Sequence, residues 1–391
     1  MIDPERFARA VRGAGVDVVI GVPDSLLRHA LTSLDAVFGR ERHVIAVNEG
    51  AAVALAAGHH LATGGLPLVY LQNSGLGNAV NPLLSLADRA VYALPLLLLI
   101  GWRGEPGVRD EPQHVAQGRV TPALLTAMDV PHRVLDGDEA AALAALRWAV
   151  GKARERSAPA ALLVRAGAFA GGAGAATAGA LSAAVTEVRT APPLTRERAI
   201  ERISGALPAG AAVVASTGMI ARELYEHRRR VGQDGAGDFL TVGSMGHASH
   251  IALGVALSRP ERTVVCLDGD GALLMHMGAL AAIGASGVEN LLHVVLNNGA
   301  HDSVGGQPTV ALDVDLAGVA RACGYRHAHG GVADEVALEV ALGALVAASG
   351  ARFLEVRVGH GARADLGRPR ETPVENKHAF MRRLQGHDDD V

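Results

Sequence analysis

The sequence predicts an α/β protein with two domains, each built on a parallel sheet flanked by helices. Two observations lead to this prediction. Short apolar runs that are typical of buried strands alternate with helix-like stretches along both halves of the chain. A segment of small, nearly uncharged residues begins at residue 166 and separates the two halves, and its composition is that of a linker.

The alternation can be followed along the chain. In the first half, strands are predicted at 16–20, 44–47, 66–71, 96–100 and 160–164, and helices at 4–13, 25–34, 50–62 and 139–153. In the second half, strands are predicted at 211–215, 239–242, 263–267, 291–296 and 351–358, with a helix at 219–229. We therefore expect a first domain at 1–165, a linker at 166–190, a second domain at 191–384 and a polar tail at 385–391.

Composition excludes several classes of protein. The chain has 391 residues, 49% of them hydrophobic, and a net charge of only −4, so it is long enough for two cores and shows no nucleic-acid-binding character. No apolar run approaches the length of a membrane span, and the first residues do not have the layout of a signal peptide. The two cysteines, Cys266 and Cys323, fit structural thiols in a reducing compartment, so we expect a cytoplasmic protein.

Short polar residues follow two apolar runs in the second half. Asp270, between Gly269 and Gly271, follows the run at 263–267, and Asn298 follows the run at 291–296. If these runs are neighbouring parallel strands, both side chains lie at the same edge of the sheet. A carboxylate, an amide oxygen and a nearby carbonyl would suit Mg²⁺. Each motif alone is weak, because Gly-Asp-Gly is more often an ordinary turn.

The two motifs at this spacing resemble the cofactor motif of the thiamine diphosphate-dependent decarboxylases and transketolases. The resemblance implies that a metal is bound by Asp270, Asn298 and the backbone of Ala300. It also implies a diphosphate site on the surrounding loops. The candidates there are Ser216, Thr217 and Gly218, Gly243, Ser244 and Met245, Gly269 and Gly271, and His301 and Ser303.

Two of these loops have simpler explanations. Ser216-Thr217-Gly218 lies at a helix start, which suits phosphate oxygens, but an ordinary N-cap is equally compatible with the spacing. In the resembling family a bulky apolar residue at the position of Met245 holds the cofactor in a bent shape, whereas by itself Met245 would be taken for core.

Glu49 is the candidate for the acid that activates the cofactor. It follows the predicted strand at 44–47 and opens a helix of small residues. By itself it would be read as an exposed acid in a first helical turn, favoured by the helix dipole. The resemblance instead implies a hydrogen bond from Glu49 to the aminopyrimidine of thiamine diphosphate. It further implies sites shared between subunits, hence a homodimer or homotetramer.

Several segments resemble one compact group within this family, the phosphonopyruvate and sulfopyruvate decarboxylases. They are Gly21–Leu26, Gln72–Asn78, Gly101–His114, Gly243–Ser249 and Asp365–Pro369. The resemblance covers nearly the whole chain and implies a pyrimidine-binding domain followed directly by a diphosphate-binding domain. The linker leaves no room for the middle domain that many thiamine diphosphate decarboxylases carry.

A phosphonate substrate would require cations and hydroxyls. The candidate substrate ligands are Ser25, Asn73, Arg103, Arg109, His114 and His247. Most loop arginines are solvated, so only two or three of the cationic candidates are expected to act. Asp24 and His114 are candidates for proton transfer, although Asp24 and Ser25 would also suit an ordinary N-cap.

The implied reaction is decarboxylation of phosphonopyruvate to phosphonoacetaldehyde and CO₂, within phosphonate and antibiotic biosynthesis. In that setting the step would follow an unfavourable mutase reaction, and loss of CO₂ would drive it forward. Sulfopyruvate or another 2-oxoacid is the alternative substrate, and a fused chain favours the phosphonate because sulfopyruvate decarboxylases are often split. A non-catalytic homologue is disfavoured because Glu49, Asp270 and Asn298 are all present.

Overall fold

The chain forms two α/β units. The computed structural model describes residues 1–39, 41–171 and 194–386, and the units divide near residue 183. Each unit contains a six-stranded sheet in which every pairing is parallel. Apolar clusters cover both faces of each sheet. The predicted fold class is confirmed.

The first unit has the strand order β2-β1-β3-β4-β6-β5. Its strands are β1 (Val16–Gly21), β2 (His43–Ile45), β3 (Leu66–Gln72), β4 (Leu97–Gly101), β5 (His132–Leu135) and β6 (Ala160–Val164). Its helices are α1 (Pro4–Gly13), α2 (Arg28–Phe38), α3 (Glu49–Thr63), α4 (Leu76–Pro82), α5 (Pro112–Ala127) and α6 (Glu139–Arg156). A 3₁₀ turn at Asn73–Gly75 joins β3 to α4.

The second unit has the strand order β13-β14-β10-β9-β7-β8. Its strands are β7 (Ala212–Ala215), β8 (Asp238–Leu240), β9 (Val264–Gly269), β10 (Leu291–Asn297), β13 (His327–Val332) and β14 (Arg352–Arg357), and a small antiparallel ribbon comprises β11 (Ala300–His301) and β12 (Gln307–Pro308). Its helices are α7 (Arg196–Ala206), α8 (Met219–Arg230), α9 (Ala248–Ser258), α10 (Asp270–Met275), α11 (Ala279–Ala285), α12 (Leu316–Ala322), α13 (Glu335–Ala347) and α14 (Pro373–Gln385).

The central strands form where apolar runs are buried on both faces. Every residue of β4 and of β6 is buried, as expected for strands covered by helices on either side of a parallel sheet. Helix starts are marked by side-chain caps. Asp3 accepts hydrogen bonds from the backbone of Glu5 and Arg6 ahead of α1, and Asn48 accepts one from Ala51 ahead of α3.

The ends of the predicted domains need adjustment. Residues 166–171 were predicted to belong to the linker, but Phe169 is buried, pairs with Ile2 and packs edge-on against Phe7 at 5.2 Å between ring centroids. This apolar contact places the start of the predicted linker in the first unit. The rest of the predicted linker, residues 172–190, lies outside the described residues.

At the C-terminus, α14 extends to Gln385, and the predicted tail beyond residue 386 lies outside the described range. Among the helices that the structure describes, none combines the length and apolar character needed to cross a membrane. Cys266 lies on β9 and is buried in the core, and both cysteines are free thiols.

Candidate active site

Glu49 is the first residue of α3 and is buried, with only 5% of its surface exposed. Its Oε2 atom accepts a 2.8 Å hydrogen bond from Nδ2 of Asn78. On its other side the carboxylate packs against the backbone of Gly75, where an added Cβ would lie 2.2 Å from Oε1. The carboxylate is therefore held between α4 and the turn that precedes it, and only glycine fits at residue 75.

Asp24 follows β1 and is fully buried. Its Oδ2 atom accepts hydrogen bonds from the backbone of Leu26 at 3.0 Å and of Leu27 at 3.2 Å. Burial raises the pKa of Asp24 to about 6, although the positive charge of Arg103 opposes this shift. An added Cβ on Gly101 would lie 2.1 Å from Oδ2, so the end of β4 approaches this acid closely.

Arg103 connects the polar residues around Asp24. Its guanidinium donates to both oxygens of Asp110, and its Nη1 donates to Oγ of Ser25 at 3.2 Å. Its backbone exchanges two hydrogen bonds with the amide of Asn73, at 2.9 and 3.0 Å. The structure thus brings together four predicted residues, Asp24, Ser25, Asn73 and Arg103, and adds Asp110.

His114, in the first turn of α5, also belongs to this cluster. It is buried, and burial lowers its pKa, an effect that the nearby charge of Arg103 reinforces. Its Nδ1 and the Oδ1 of Asp24 are buried atoms without a hydrogen-bond partner among the described residues. Buried polar atoms are rarely left unpaired, so both are suited to bind a ligand or an ordered water.

One short turn links this cluster to Glu49. The 3₁₀ turn Asn73–Gly75 contacts Arg103 through its first residue and Glu49 through its last. Both groups therefore lie at the C-terminal edge of the first sheet, the usual location of ligand sites in such folds. Arg109 is exposed, and within residues 1–171 as described it makes no ion pair or hydrogen bond with the cluster.

In the second unit, two loops after strand ends contact each other. Ser216 is buried after β7, and Oγ1 of Thr217 accepts a 3.1 Å hydrogen bond from the backbone of Gly243. The loop from Gly243 to Gly246 has positive φ at Gly243, Ser244 and Gly246. The value of +46° at Ser244 is unusual for a residue with a side chain and marks a tightly constrained turn.

Asp270 begins α10 directly after β9 and is 3% exposed. Its carboxylate accepts a hydrogen bond from Oγ1 of Thr309, and burial raises its pKa to about 6. No arginine, lysine or histidine among residues 194–386 lies within ion-pair distance of it. A buried carboxylate without a cationic partner is a strong ligand for a metal ion.

Asn298 follows β10, which pairs with β9, so Asp270 and Asn298 lie at neighbouring strand ends as predicted. Thr309 connects the two loops, because its backbone N–H donates to the carbonyl of Gly299 at 2.8 Å while its hydroxyl reaches Asp270. The Oδ1 of Asn298 accepts a 3.1 Å hydrogen bond from the backbone N–H of Ala300.

His301, Met245 and Gly271 lie together. An added Cβ on Gly271 would be 2.8 Å from Cε1 of His301 and 3.4 Å from Cε of Met245. Burial lowers the pKa of His301 to about 4, so the ring is neutral at physiological pH. An added Cβ on Gly218 would lie 3.7 Å from Oγ of Ser303, so the loop after β7 also borders this group.

His247 lies on the exposed side of this group and packs against His276, with 4.4 Å between ring centroids. An added Cβ on Gly246 would be 2.5 Å from Cδ2 of His276. The Nε2 of His276 is buried without a partner among the described atoms. His276 was not predicted, although it lies within the segment between Asp270 and Asn298.

Sequence reasoning also missed Asn78, Asp110 and Thr309. Asn78 ends the segment Gln72–Asn78, and Asp110 lies inside Gly101–His114. Both segments resemble the family, but these two residues within them were not singled out. Thr309 had no sequence signal, because its contact with Asp270 depends on the fold of the β11–β12 ribbon.

Comparison with known proteins agrees with this geometry. The family model for the N-terminal TPP binding domain of thiamine pyrophosphate enzymes matches residues 4–128, and that for the C-terminal TPP binding domain matches residues 216–356. The chain is 39% identical to the phosphonopyruvate decarboxylase of Streptomyces viridochromogenes, over 97% of the chain and 94% of that protein. This protein belongs to the thiamine pyrophosphate enzymes.

Two further relatives in this family are informative. The phosphonopyruvate decarboxylase of Streptomyces hygroscopicus is 40% identical, over 97% of the chain and 93% of the relative. The sulfopyruvate decarboxylase of Methanosarcina acetivorans is 31% identical, over 84% of each protein. This last relative matches both units in one chain, whereas the sulfopyruvate decarboxylase of Methanothermobacter thermautotrophicus is divided into alpha and beta subunits, so a fused chain alone does not decide between the two substrates.

The residues fit the cofactor of this family. The first matched segment contains Glu49, and the second contains Asp270 and Asn298. The first unit has a buried acid held in place, which is the group that an aminopyrimidine requires. The second unit has a buried carboxylate without a cationic partner among its described residues, which is a suitable ligand for the metal of a metal diphosphate.

Proposed function

We propose that this protein decarboxylates 3-phosphonopyruvate to phosphonoacetaldehyde and CO₂, using thiamine diphosphate and Mg²⁺. The observation that carries the proposal is the cluster of Arg103, Ser25, Asp24 and His114 at the same sheet edge as Glu49. Cation and hydroxyl donors there suit an anionic 2-oxoacid. Two phosphonopyruvate decarboxylases that match 97% of the chain support the same substrate.

In this proposal the second unit binds the metal diphosphate. Asp270, the Oδ1 of Asn298 and the carbonyl of Ala300 would hold Mg²⁺, which completes its shell with diphosphate oxygens. The diphosphate would lie against the segments that follow β7, β8, β9 and β10. The contributing residues there would be Ser216, Thr217, Gly218, Gly243, Ser244, Gly269, Gly271, His301 and Ser303, with Met245 supporting the bent cofactor.

The first unit would bind the pyrimidine and the substrate. Glu49 would donate its proton to a pyrimidine nitrogen, with the carboxyl group fixed by Asn78. When bound, the cofactor provides an electron sink for the pair that remains as CO₂ leaves. Arg103 and Ser25 would bind the phosphonate, and Asn73 would hold the backbone of Arg103.

Asp24 is the best candidate for proton transfer to the product carbon. Its pKa of about 6 lies close to neutrality, and its Oδ1 has no partner among the described residues. His114, buried nearby with an unpartnered Nδ1, would contact the substrate as a neutral ring. Burial around both groups would keep water from the reacting carbon.

The alternative substrate is sulfopyruvate. The relative from Methanosarcina acetivorans favours it, but at lower identity and coverage than the two phosphonopyruvate decarboxylases. The deciding experiment compares kcat/KM for phosphonopyruvate, sulfopyruvate and pyruvate at saturating Mg²⁺ and thiamine diphosphate. We expect phosphonopyruvate to be preferred, and a higher kcat/KM for sulfopyruvate would refute the assignment.

The cofactor assignment is tested by two variants. Asp270→Ala should abolish retention of thiamine diphosphate, because the diphosphate loses its metal bridge. Glu49→Gln should still bind thiamine diphosphate but exchange the thiazolium C2 proton far more slowly, by about 10²- to 10⁴-fold. Unaltered cofactor retention in the first variant, or unaltered exchange in the second, would contradict the corresponding role.

We further propose a homodimer or homotetramer in which Glu49 of one subunit acts on a cofactor held by Asp270 of another. Mixing Glu49→Gln and Asp270→Ala chains under conditions that exchange subunits then creates sites with both residues intact. Activity should appear in the mixture although each variant alone is inactive. If both residues serve one site from the same chain, no activity returns.

A further inference from the structure

A carboxylate orients the amide of Asn298. The Nδ2 atom of Asn298 donates a 2.6 Å hydrogen bond to Oδ2 of Asp302. Because an ionised carboxylate only accepts hydrogen bonds, it requires the NH₂ end of the amide. The oxygen end of the amide must then point away from Asp302, where Oδ1 accepts from the backbone of Ala300.

Asp302 is itself held firmly. The same Oδ2 atom accepts from Nη1 of Arg196 at 2.9 Å and from the backbone N–H of Gly361 at 2.9 Å. Arg196 is 5% exposed and uses its remaining nitrogens on Glu223, at 2.9 and 3.0 Å, and on the carbonyl of Gly361. With every nitrogen of Arg196 bonded, the position of Asp302 is set by three segments of the chain.

The arrangement also connects two sides of the site. Glu223 lies on α8, the helix that begins directly after Gly218, whereas Asp302 follows the loop that contains Asn298. Arg196 therefore ties α8, which follows the loop after β7, to the segment after β10. Arg196 supplies one guanidinium for two carboxylates, those of Glu223 and Asp302, and Nδ1 of His360 lies 3.8 Å from Oδ1 of Asp302.

Stability alone is a weak reason for such a group. Buried ion pairs lose much of their attraction to the cost of removing charges from water, and apolar replacements are often as stable. Groups that orient a metal ligand, by contrast, commonly change metal affinity by about 10- to 100-fold when they are removed.

We propose that Asp302, held by Arg196, is a positioning residue that presents the oxygen of Asn298 to the metal and adds negative charge beside it. This inference rests on the proposed function, because it takes Asn298 as a metal ligand. In this inference Asp302 acts through Asn298 and not as a ligand of its own.

The test measures binding of Mn²⁺, as a paramagnetic substitute for Mg²⁺, by electron paramagnetic resonance in the presence of thiamine diphosphate. Asp302→Ala removes the acceptor and the charge, and should weaken Mn²⁺ binding by about 100-fold. Asp302→Asn can keep an oxygen toward Arg196, Asn298 and Gly361 while losing the charge, and should weaken it by about 10-fold. This graded loss also keeps the test valid if the alanine variant does not fold.

Asp238→Ala is the matched control. Asp238 is another buried aspartate of the second unit and pairs through both oxygens with Arg228, at 2.8 and 3.1 Å. Its loss should lower stability without changing Mn²⁺ affinity. Wild-type affinity in either Asp302 variant would overturn the inference.

Failure of the proposed function would look different. If Asp270→Ala also binds Mn²⁺ with wild-type affinity, the metal site itself is misassigned. If Asp270→Ala loses the metal while both Asp302 variants keep it, the metal site is correct and only the positioning role is refuted.

Discussion

The side chain of Asn78 donates a 2.8 Å hydrogen bond to Oε2 of Glu49. The two residues lie on different helices, α4 and α3, so the bond fixes the acid relative to the end of the first sheet. The opposite oxygen, Oε1, lies against the backbone of Gly75. The direction in which Glu49 presents its proton is thus determined by one amide and one glycine.

Replacing Asn78 by Leu should therefore impair catalysis without removing any group that takes part in proton transfer. The carboxylate loses its lateral hydrogen bond, and we expect kcat to fall by about 10-fold or more while thiamine diphosphate remains bound. Asn81→Ala is the control, because Asn81 lies on the same helix and its Oδ1 accepts a hydrogen bond from Ser85, with no bond to Glu49 among the described residues. Equal kcat for Asn78→Leu and wild type would show that Glu49 needs no such support.

The raised pKa of Asp24 predicts that its ionisation lowers the stability of the folded protein. Its pKa is raised by burial from 3.8 to about 6, so the folded protein binds this proton more tightly than the unfolded chain does. The contribution of Asp24 to stability should then be lost as the pH rises from about 4 to about 6 and change little above. Asp24→Asn avoids this cost, and should be more stable than wild type by roughly 2–3 kcal/mol at pH 7.5 but much less so at pH 4.5.

Urea unfolding of the cofactor-free protein at these two pH values measures the difference. The exposed Asp136, replaced by Asn, is the control, and its stability difference from wild type should not grow between them. A difference for Asp24→Asn that stays constant between pH 4.5 and 7.5 would be inconsistent with a raised pKa. The same variant should lose activity if Asp24 transfers a proton.

The parts of the fold that sequence predicted best are those buried on both faces. β6 was predicted with its observed bounds, and α1 likewise, because a fully apolar run and a well-capped helix leave little ambiguity. β5 and β13 were missed. Both are edge strands with exposed residues, so neither needs the continuous apolar run by which a central parallel strand is recognised.

Local hydrogen bonding explains other differences. The helix predicted to begin at Ser25 begins at Arg28, because Asp24 first binds the backbone of Leu26 and Leu27 in a turn. α14 was not predicted, although Thr372 and Glu375 form a capping box with Pro373 at the first helical position. That signal was readable in the sequence.

For the candidate site, the sequence predicted which residues take part but not which of them contact one another. Asp24, Ser25, Asn73 and Arg103 come from three strand ends, so only the parallel topology brings them together. The pairing of Arg103 with Asp110 depends on how the loop after β4 folds back, which no periodicity encodes. Arg109, equally plausible by composition, points to the surface.

A substitution at Gly271 would test where the cofactor binds on the second unit. In Gly271→Ala the new methyl group would collide with His301 and approach Met245, which we propose to lie against thiamine diphosphate. His301 would have to shift from the position that we propose to contact the cofactor, so cofactor affinity should fall by roughly 10-fold if the strain resembles the ~1–3 kcal/mol that is typical of overpacking. Calorimetric titration measures it, with Gly278→Ala as control because no atom lies within 4 Å of an added Cβ there. Equal affinity in the two variants would place the cofactor elsewhere.

Arg103 should determine affinity for the substrate's anionic group. The informative variant is the double replacement Arg103→Gln with Asp110→Asn, because removing the arginine alone would leave the carboxylate of Asp110 unpaired. A lost hydrogen bond to a charged group costs about 1.5–3 kcal/mol, so KM for phosphonopyruvate should rise roughly 10- to 100-fold. Affinity for thiamine diphosphate should be unchanged, since these residues belong to the first unit whereas the proposed diphosphate loops belong to the second. Arg109→Gln, which removes an exposed arginine from the same loop, should leave KM unaltered. If Arg109→Gln raises KM and the double variant does not, the phosphonate is bound by the surface of this loop and not by its buried base.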